Sequence, residues 1–125
     1  MEKGEIYKLK SEFISKYHKD CYKHPFAYWE NASADYKGIM LTTSDNPKYK
    51  NIELKEEFFE KGFDIVFGKS ALKPKSYIVP LFLLKDVKYE HLEKVGELSD
   101  EGIRFIDGIV GGLKYTDWKT YMKLL

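Results

Sequence analysis

An α+β domain is predicted for this chain: a small curled β-barrel of five to seven short strands, with a C-terminal helix lying across one opening. Three observations predict it. In the first two thirds, short segments alternate polar and apolar residues at period two, and turn-forming clusters separate them. After Leu98 the apolar spacing changes to three and four residues, the period of a helix buried along one face. The 125 residues, 43% hydrophobic and 16% aromatic, suffice for one core and leave no room for a second, so 1–125 reads as a single domain.

Each element has its own local reason. Glu5-Ile6-Tyr7-Lys8-Leu9 alternates and reads as a half-buried strand. Phe13–His24 is polar, carries lysines and breaks at Pro25. Phe26-Ala27-Tyr28-Trp29 is strand-like, and Glu30-Asn31-Ala32-Ser33 ends it with turn chemistry. Gly38–Thr43 is an apolar strand stopped by Ser44-Asp45-Asn46-Pro47. Asn51–Leu54 is a short strand, Lys55–Lys61 a helical turn ended by Gly62, and Phe63–Phe67 alternates again. Beyond the basic loop Gly68–Lys75, Ser76–Leu84 is a buried strand in which Pro80 demands an edge or a bulge. Ser99-Asp100-Glu101 starts a helix, a hydroxyl cap followed by acids at the positive dipole end. Ile103, Ile106, Ile109, Val110 and Leu113 fall on one face of it, and Thr116 is placed to cap a last helix carrying Trp118, Tyr121, Met122 and Leu125.

Composition narrows the function. Lys+Arg number 21 against 20 for Asp+Glu, a formal charge of +1, which excludes a generally polybasic nucleic-acid coater but not a local basic site. The single cysteine, Cys21, excludes an intramolecular disulfide framework and a four-cysteine zinc site. No apolar run approaches the ~20 residues of a membrane span, and the charged start Met1-Glu2-Lys3-Gly4-Glu5 is unlike a signal peptide. The expectation is a cytoplasmic protein with no membrane partner. No glycine-rich phosphate loop, nucleophile elbow or pair of metal-binding carboxylates is present, and no cofactor is expected.

The segment richest in chemistry is His18-Lys19-Asp20-Cys21-Tyr22-Lys23-His24. Two imidazoles six residues apart can supply a proton acceptor and a proton donor near neutrality. Cleaving RNA without metal needs that pair, one group for the 2′-OH and one for the departing 5′ oxygen. A cation such as Lys23 offsets charge on the phosphorane. The alternative is a solvated loop. A metal reading of His18, Cys21 and His24 lacks a second ligand cluster elsewhere, so no metal is assigned. Thr42-Thr43-Ser44, where a strand gives way to a loop, can hold a phosphate oxygen or simply cap the turn. Lys69, Lys73 and Lys75 form a second cationic loop able to follow an RNA backbone, or serve solubility alone. Tyr17, Tyr22, Tyr28, Trp29 and Tyr36 offer stacking surfaces, although strand alternation turns Tyr28 or Trp29 into the core.

Taken in order, these pieces resemble the PemK/MazF family, the toxin halves of bacterial toxin–antitoxin pairs. Gly4-Glu5-Ile6-Tyr7 is similar to the family's opening strand. His18 precedes His24-Pro25 by the spacing that separates the family's loop histidine from its Arg-Pro, and Phe26-Ala27-Tyr28-Trp29 follows as the apolar strand. Ile39-Met40-Leu41-Thr42-Thr43-Ser44 resembles the hydroxyl-ended strand. Ser76–Leu84, Lys85-Asp86-Val87 and Gly96-Glu97-Leu98-Ser99 resemble the later strand, step and helix start. The resemblance spans roughly residues 3–113 through short, degenerate motifs. It implies an SH3-like barrel, usually a homodimer, that cleaves single-stranded RNA without metal and is held by a cognate antitoxin. The resemblance carries over His18, Thr43 or Ser44, and the position of His24; together with the charge reading above, the candidate site is His18, His24 and Thr43 for catalysis, with Lys19, Lys23, Ser44, Lys69, Lys73 and Lys75 against RNA. Two departures bear on the chemistry. His24 stands where the family has arginine, and Val79-Pro80-Leu81 lacks the Arg-x-Asp of one branch; the only arginine, Arg104, lies on the predicted helix. Imidazole lacks the bidentate fork of guanidinium. A non-catalytic barrel binding protein or RNA is therefore the alternative.

Overall fold

The structure, a computed structural model, describes residues 1–16, 24–32, 35–42, 46–60, 76–79, 81–85, 88–110 and 114–117. Eight strands run in chain order: β1 (Glu5–Leu9), β2 (Phe26–Ala32), β3 (Asp35–Thr42), β4 (Ile52–Leu54), β5 (Ser76–Ile78), β6 (Leu81–Lys85), β7 (Leu92–Glu97) and β8 (Lys114–Asp117). Among the described residues there is one α-helix, α1 (Asp100–Val110), in the C-terminal third, so the chain is a small α+β protein. Six strands form an antiparallel path, β4-β5-β3-β2-β1-β7, while β6 pairs with β3 and β8 pairs with β6 in parallel. No helix among the described residues is long and apolar enough to cross a membrane.

Leu41 faces Ile78, whereas Gly38 faces Leu83, so the chain opposite β3 carries two more residues than β3 between those partners. The predicted strand Ser76–Leu84 is thus two strands, β5 and β6, laid end to end along β3. Pro80, where an edge or a bulge is expected, lies outside the described residues. A second irregularity occurs in β2, where Tyr28 faces Gly38 and Glu30 faces Lys37, leaving Trp29 as the extra residue.

The sheet is covered on both faces. Ile6, Ala27, Trp29, Ile39, Leu41 and Ile78 build the main core with Val95, Leu98 and Ile106. On the other face Tyr7, Leu9, Phe26, Tyr28, Tyr36 and Leu92 form an aromatic layer against which Phe13 packs. Helix α1 closes the main core: Ile106 is fully buried, and Phe105 stacks on Phe58 at 4.7 Å. Burying a side chain such as Ile106 contributes about 2 kcal/mol. The start of α1 is fixed as expected. Ser99 Oγ accepts from the Gly102 amide at 3.2 Å and donates to the Glu57 carbonyl at 2.8 Å, which ties the cap to the 3-10 turn Glu56–Phe58. Gly4 adopts φ +91°, which favours glycine, and exchanges its backbone groups with Tyr28 and Leu98.

Several expectations change. Among the described residues there are eight strands where five to seven are expected, because Ser76–Leu84 divides into β5 and β6 and because β7 and β8 are added. Leu92-Glu93-Lys94-Val95 shows no clean alternation, and its charged residues and Gly96 have weak strand propensity. Residues Glu30–Ala32 continue β2 instead of turning, carried by pairing with Asp35–Lys37. Thr116 is paired with Leu83 inside β8, so it does not cap a helix; residues 118–125 lie outside those described. The expected strand Phe63–Phe67 and loop Gly68–Lys75 also lie outside them.

Candidate functional site

One row of cross-strand neighbours brings together side chains that sequence spacing keeps apart. Thr42, the last residue of β3, faces Tyr77 in β5, and Tyr77 faces Glu53 in β4. On the other side of β3, the ladder with β2 reaches Phe26–Met40, and the Leu41 amide donates to the Pro25 carbonyl at 2.9 Å. His24 directly precedes Pro25 in the chain and Thr42 directly follows Leu41, so both adjoin that contact. Antiparallel partners share a face with Cβ atoms about 5 Å apart, so Thr42, Tyr77 and Glu53 form a line, and His24 adjoins its Thr42 end through the Pro25–Leu41 contact. The two strand spacings from Thr42 to Glu53 span about 10 Å.

The line faces away from the main core. Its inner neighbours Leu41 and Ile78 are fully buried in that core, and one residue along a strand reverses the face. His24, Thr42 and Tyr77 are half-buried and Glu53 is exposed. His24, Thr42 and Glu53 each take part in a polar or ring contact. An imidazole, a hydroxyl that donates and accepts, a phenol and a carboxylate acceptor make a set able to bind a polar ligand and move a proton.

Of the residues expected at the site, His24 is described, at one end of this line. His18, Lys19, Lys23, Thr43, Ser44, Lys69, Lys73 and Lys75 lie outside the described residues, as do Cys21, Tyr17 and Tyr22. The stacking role expected of Tyr28, Trp29 and Tyr36 does not hold, because all three are buried: Trp29 in the main core, the other two in the aromatic layer. A sheet covered on both faces buries adjacent residues alike. Glu53 and Tyr77 are additions. Alternation in Ile52-Glu53-Leu54 points Glu53 outward, but no sequence signal aligns it with Tyr77.

The third histidine is structural. His91, in the 3-10 turn Tyr89–His91, stacks on Phe13 at 4.0 Å, and Lys16 Nζ lies 5.5 Å from the Phe13 ring. A polar cluster joins β1 to β7: Glu5 Oε1 accepts from the Tyr7 hydroxyl at 3.0 Å, and Glu5 Oε2 pairs with Lys94 Nζ at 2.8 Å. Lys94 also reaches Glu97 at 3.3 Å. Burial pushes the Glu5 carboxyl upward, but hydrogen bonds from Lys94, the Glu2 amide and Tyr7 outweigh it and hold the group below its ordinary value. The Tyr7 phenol is raised by burial and by donation to Glu5. Donation to Glu5 holds the Lys94 ammonium above its ordinary range, against some loss of water. These groups satisfy one another and act as a clasp between strands. Among the described residues no three His, Cys, Asp or Glu side chains are grouped to hold a metal.

Comparison with protein-family models, curated proteins and solved structures returns no match.

Proposed function

We propose that the chain is the toxin-like component of a toxin–antitoxin system, an endoribonuclease that cleaves single-stranded RNA without metal and leaves 2′,3′-cyclic phosphate ends. The observation that supports this reading is the Leu41 amide bonded to the Pro25 carbonyl, since His24 directly precedes Pro25 and Thr42 directly follows Leu41. In the reaction one imidazole of the pair His18 and His24 takes the 2′-OH proton, and the 2′ oxygen attacks phosphorus. The P–O5′ bond breaks, and the second imidazole protonates the departing oxygen. Lys23 offsets the phosphorane charge and Thr43 positions the phosphate. Lys19, Ser44, Lys69, Lys73 and Lys75 track the RNA backbone.

The finer fold belongs to the same proposal: an SH3-like, PemK-like barrel, homodimeric, cytoplasmic and masked by a cognate antitoxin. A bridge between Phe59, which follows the 3-10 turn after β4, and Leu98, just after β7, supports it, because β4 and β7 end the antiparallel path. Incubation with unstructured RNA in EDTA is expected to give cyclic phosphate ends, and their absence removes the nuclease reading. His24→Ala and His18→Ala should each lower turnover by about 100-fold or more, with little change in unfolding temperature. The imidazole at position 24, where guanidinium would clamp a phosphate with two hydrogen bonds, favours the second reading, a non-catalytic RNA- or protein-binding barrel. RNA binding without any cleavage is the result that selects it.

A further inference from the structure

We infer that Tyr77 and Glu53 form a nucleobase subsite that prefers a base bearing an exocyclic amino group over uracil. The inference rests on reading the His24–Thr42 end of the line as the place of the scissile phosphate. Tyr77 follows Thr42 directly across β3 and β5, and Glu53 follows Tyr77 across β5 and β4. A nucleotide anchored by its phosphate at His24 and Thr42 therefore projects its base along the row toward the phenol ring. Tyr77 is half-buried, so part of the residue is open to solvent, as a stacking platform requires. Ile78, its neighbour along the strand, is fully buried in the main core and fixes β5 beneath it.

Glu53 is exposed on the far side of that ring. A carboxylate repels the phosphodiester backbone, so attraction at this position comes from a hydrogen-bond donor on the base edge. The exocyclic amines of cytosine and adenine supply one, as does the N1–H and N2 amine edge of guanine. Uracil presents two carbonyl acceptors around a single N–H, and its carbonyls face a carboxylate unfavourably. Cytosine and uracil share ring size and stacking area, so the contrast between them isolates the Glu53 contact.

The test uses uncleavable 2′-O-methyl oligonucleotides, a cytosine run and a uracil run of equal length, with fluorescence anisotropy on the full chain. The wild type is expected to bind the cytosine run about tenfold more tightly. Glu53→Gln should bring the ratio to within about twofold, because a carboxamide offers both a donor and an acceptor. Tyr77→Phe, which keeps the ring, should leave both affinities near wild type, while Tyr77→Leu weakens both runs together. Equal affinity for the two runs in the wild type, a ratio unchanged by Glu53→Gln, or no binding of either run overturns the subsite. His24→Ala separates it from the nuclease reading, since it should abolish cleavage and leave the cytosine-to-uracil ratio intact. Discrimination without any cleavage retains the subsite and removes the nuclease.

Discussion

Ser76 faces Leu54 across β4 and β5, and its hydroxyl is buried with no hydrogen-bond partner among the described residues. A desolvated hydroxyl left unpaired costs more than the methyl group that replaces it. Ser76→Ala is therefore expected to raise stability by about 1 kcal/mol, seen as a higher urea midpoint at unchanged slope. Destabilisation of that size would mean the hydroxyl is bonded in solution. At this scale the chemistry of single residues was legible, as at Ser99, whose hydroxyl caps α1. Neighbourhood was not. Glu53 and Tyr77 are 24 positions apart, and their register follows from packing the whole β4–β5 pair onto β3. The burial of Tyr28 beside buried Trp29 was likewise hidden, because alternation shows which residues share a face and not whether both faces are covered.

At the scale of elements, the join between α1 and the turn Glu56–Phe58 is unusually close. A Cβ added at Gly102 would lie 2.3 Å from the Phe58 carbonyl oxygen, a backbone atom that moves only with its segment. Gly102→Ala should cost about 2 kcal/mol by forcing that segment away from the helix. Gly108, on the same helix, meets nothing within 4 Å, so Gly108→Ala should instead stabilise by about 0.5–1 kcal/mol. Paired urea titrations read both, and equal signs for the two variants would contradict the close docking. The helix and its cap were legible because the period, the hydroxyl and the acids agree locally. Strand β7 was not, because Leu92–Glu97 owes its conformation to pairing with β1 and to the Glu5–Lys94 contact.

For the molecule as a whole, that clasp makes stability depend on pH. The Glu5 carboxyl titrates below its ordinary value of 4.5 in the folded chain, so its stabilising contribution is full above that value. It is lost as the pH falls through the lower, folded value, where folded and unfolded chains take up the same proton. Glu5→Gln should therefore be less stable than wild type at neutral pH, with the difference closing in acid. Urea midpoints measured across that range check it, and a gap that persists at the acid end would place the effect in packing instead.

Strand margins are hazardous in any open sheet, since an unpaired row of amides and carbonyls invites a foreign strand. Here the chain lays its own segment there: the Glu60 amide donates to the Glu97 carbonyl at 2.8 Å, and the Ser99 amide to the Phe58 carbonyl at 2.8 Å. An intruding chain would have to evict that segment, and with it the cap of α1, before it could dock at Glu97–Ser99. Self-association by strand addition at this rim is thus coupled to partial unfolding, and crowding alone does not open it.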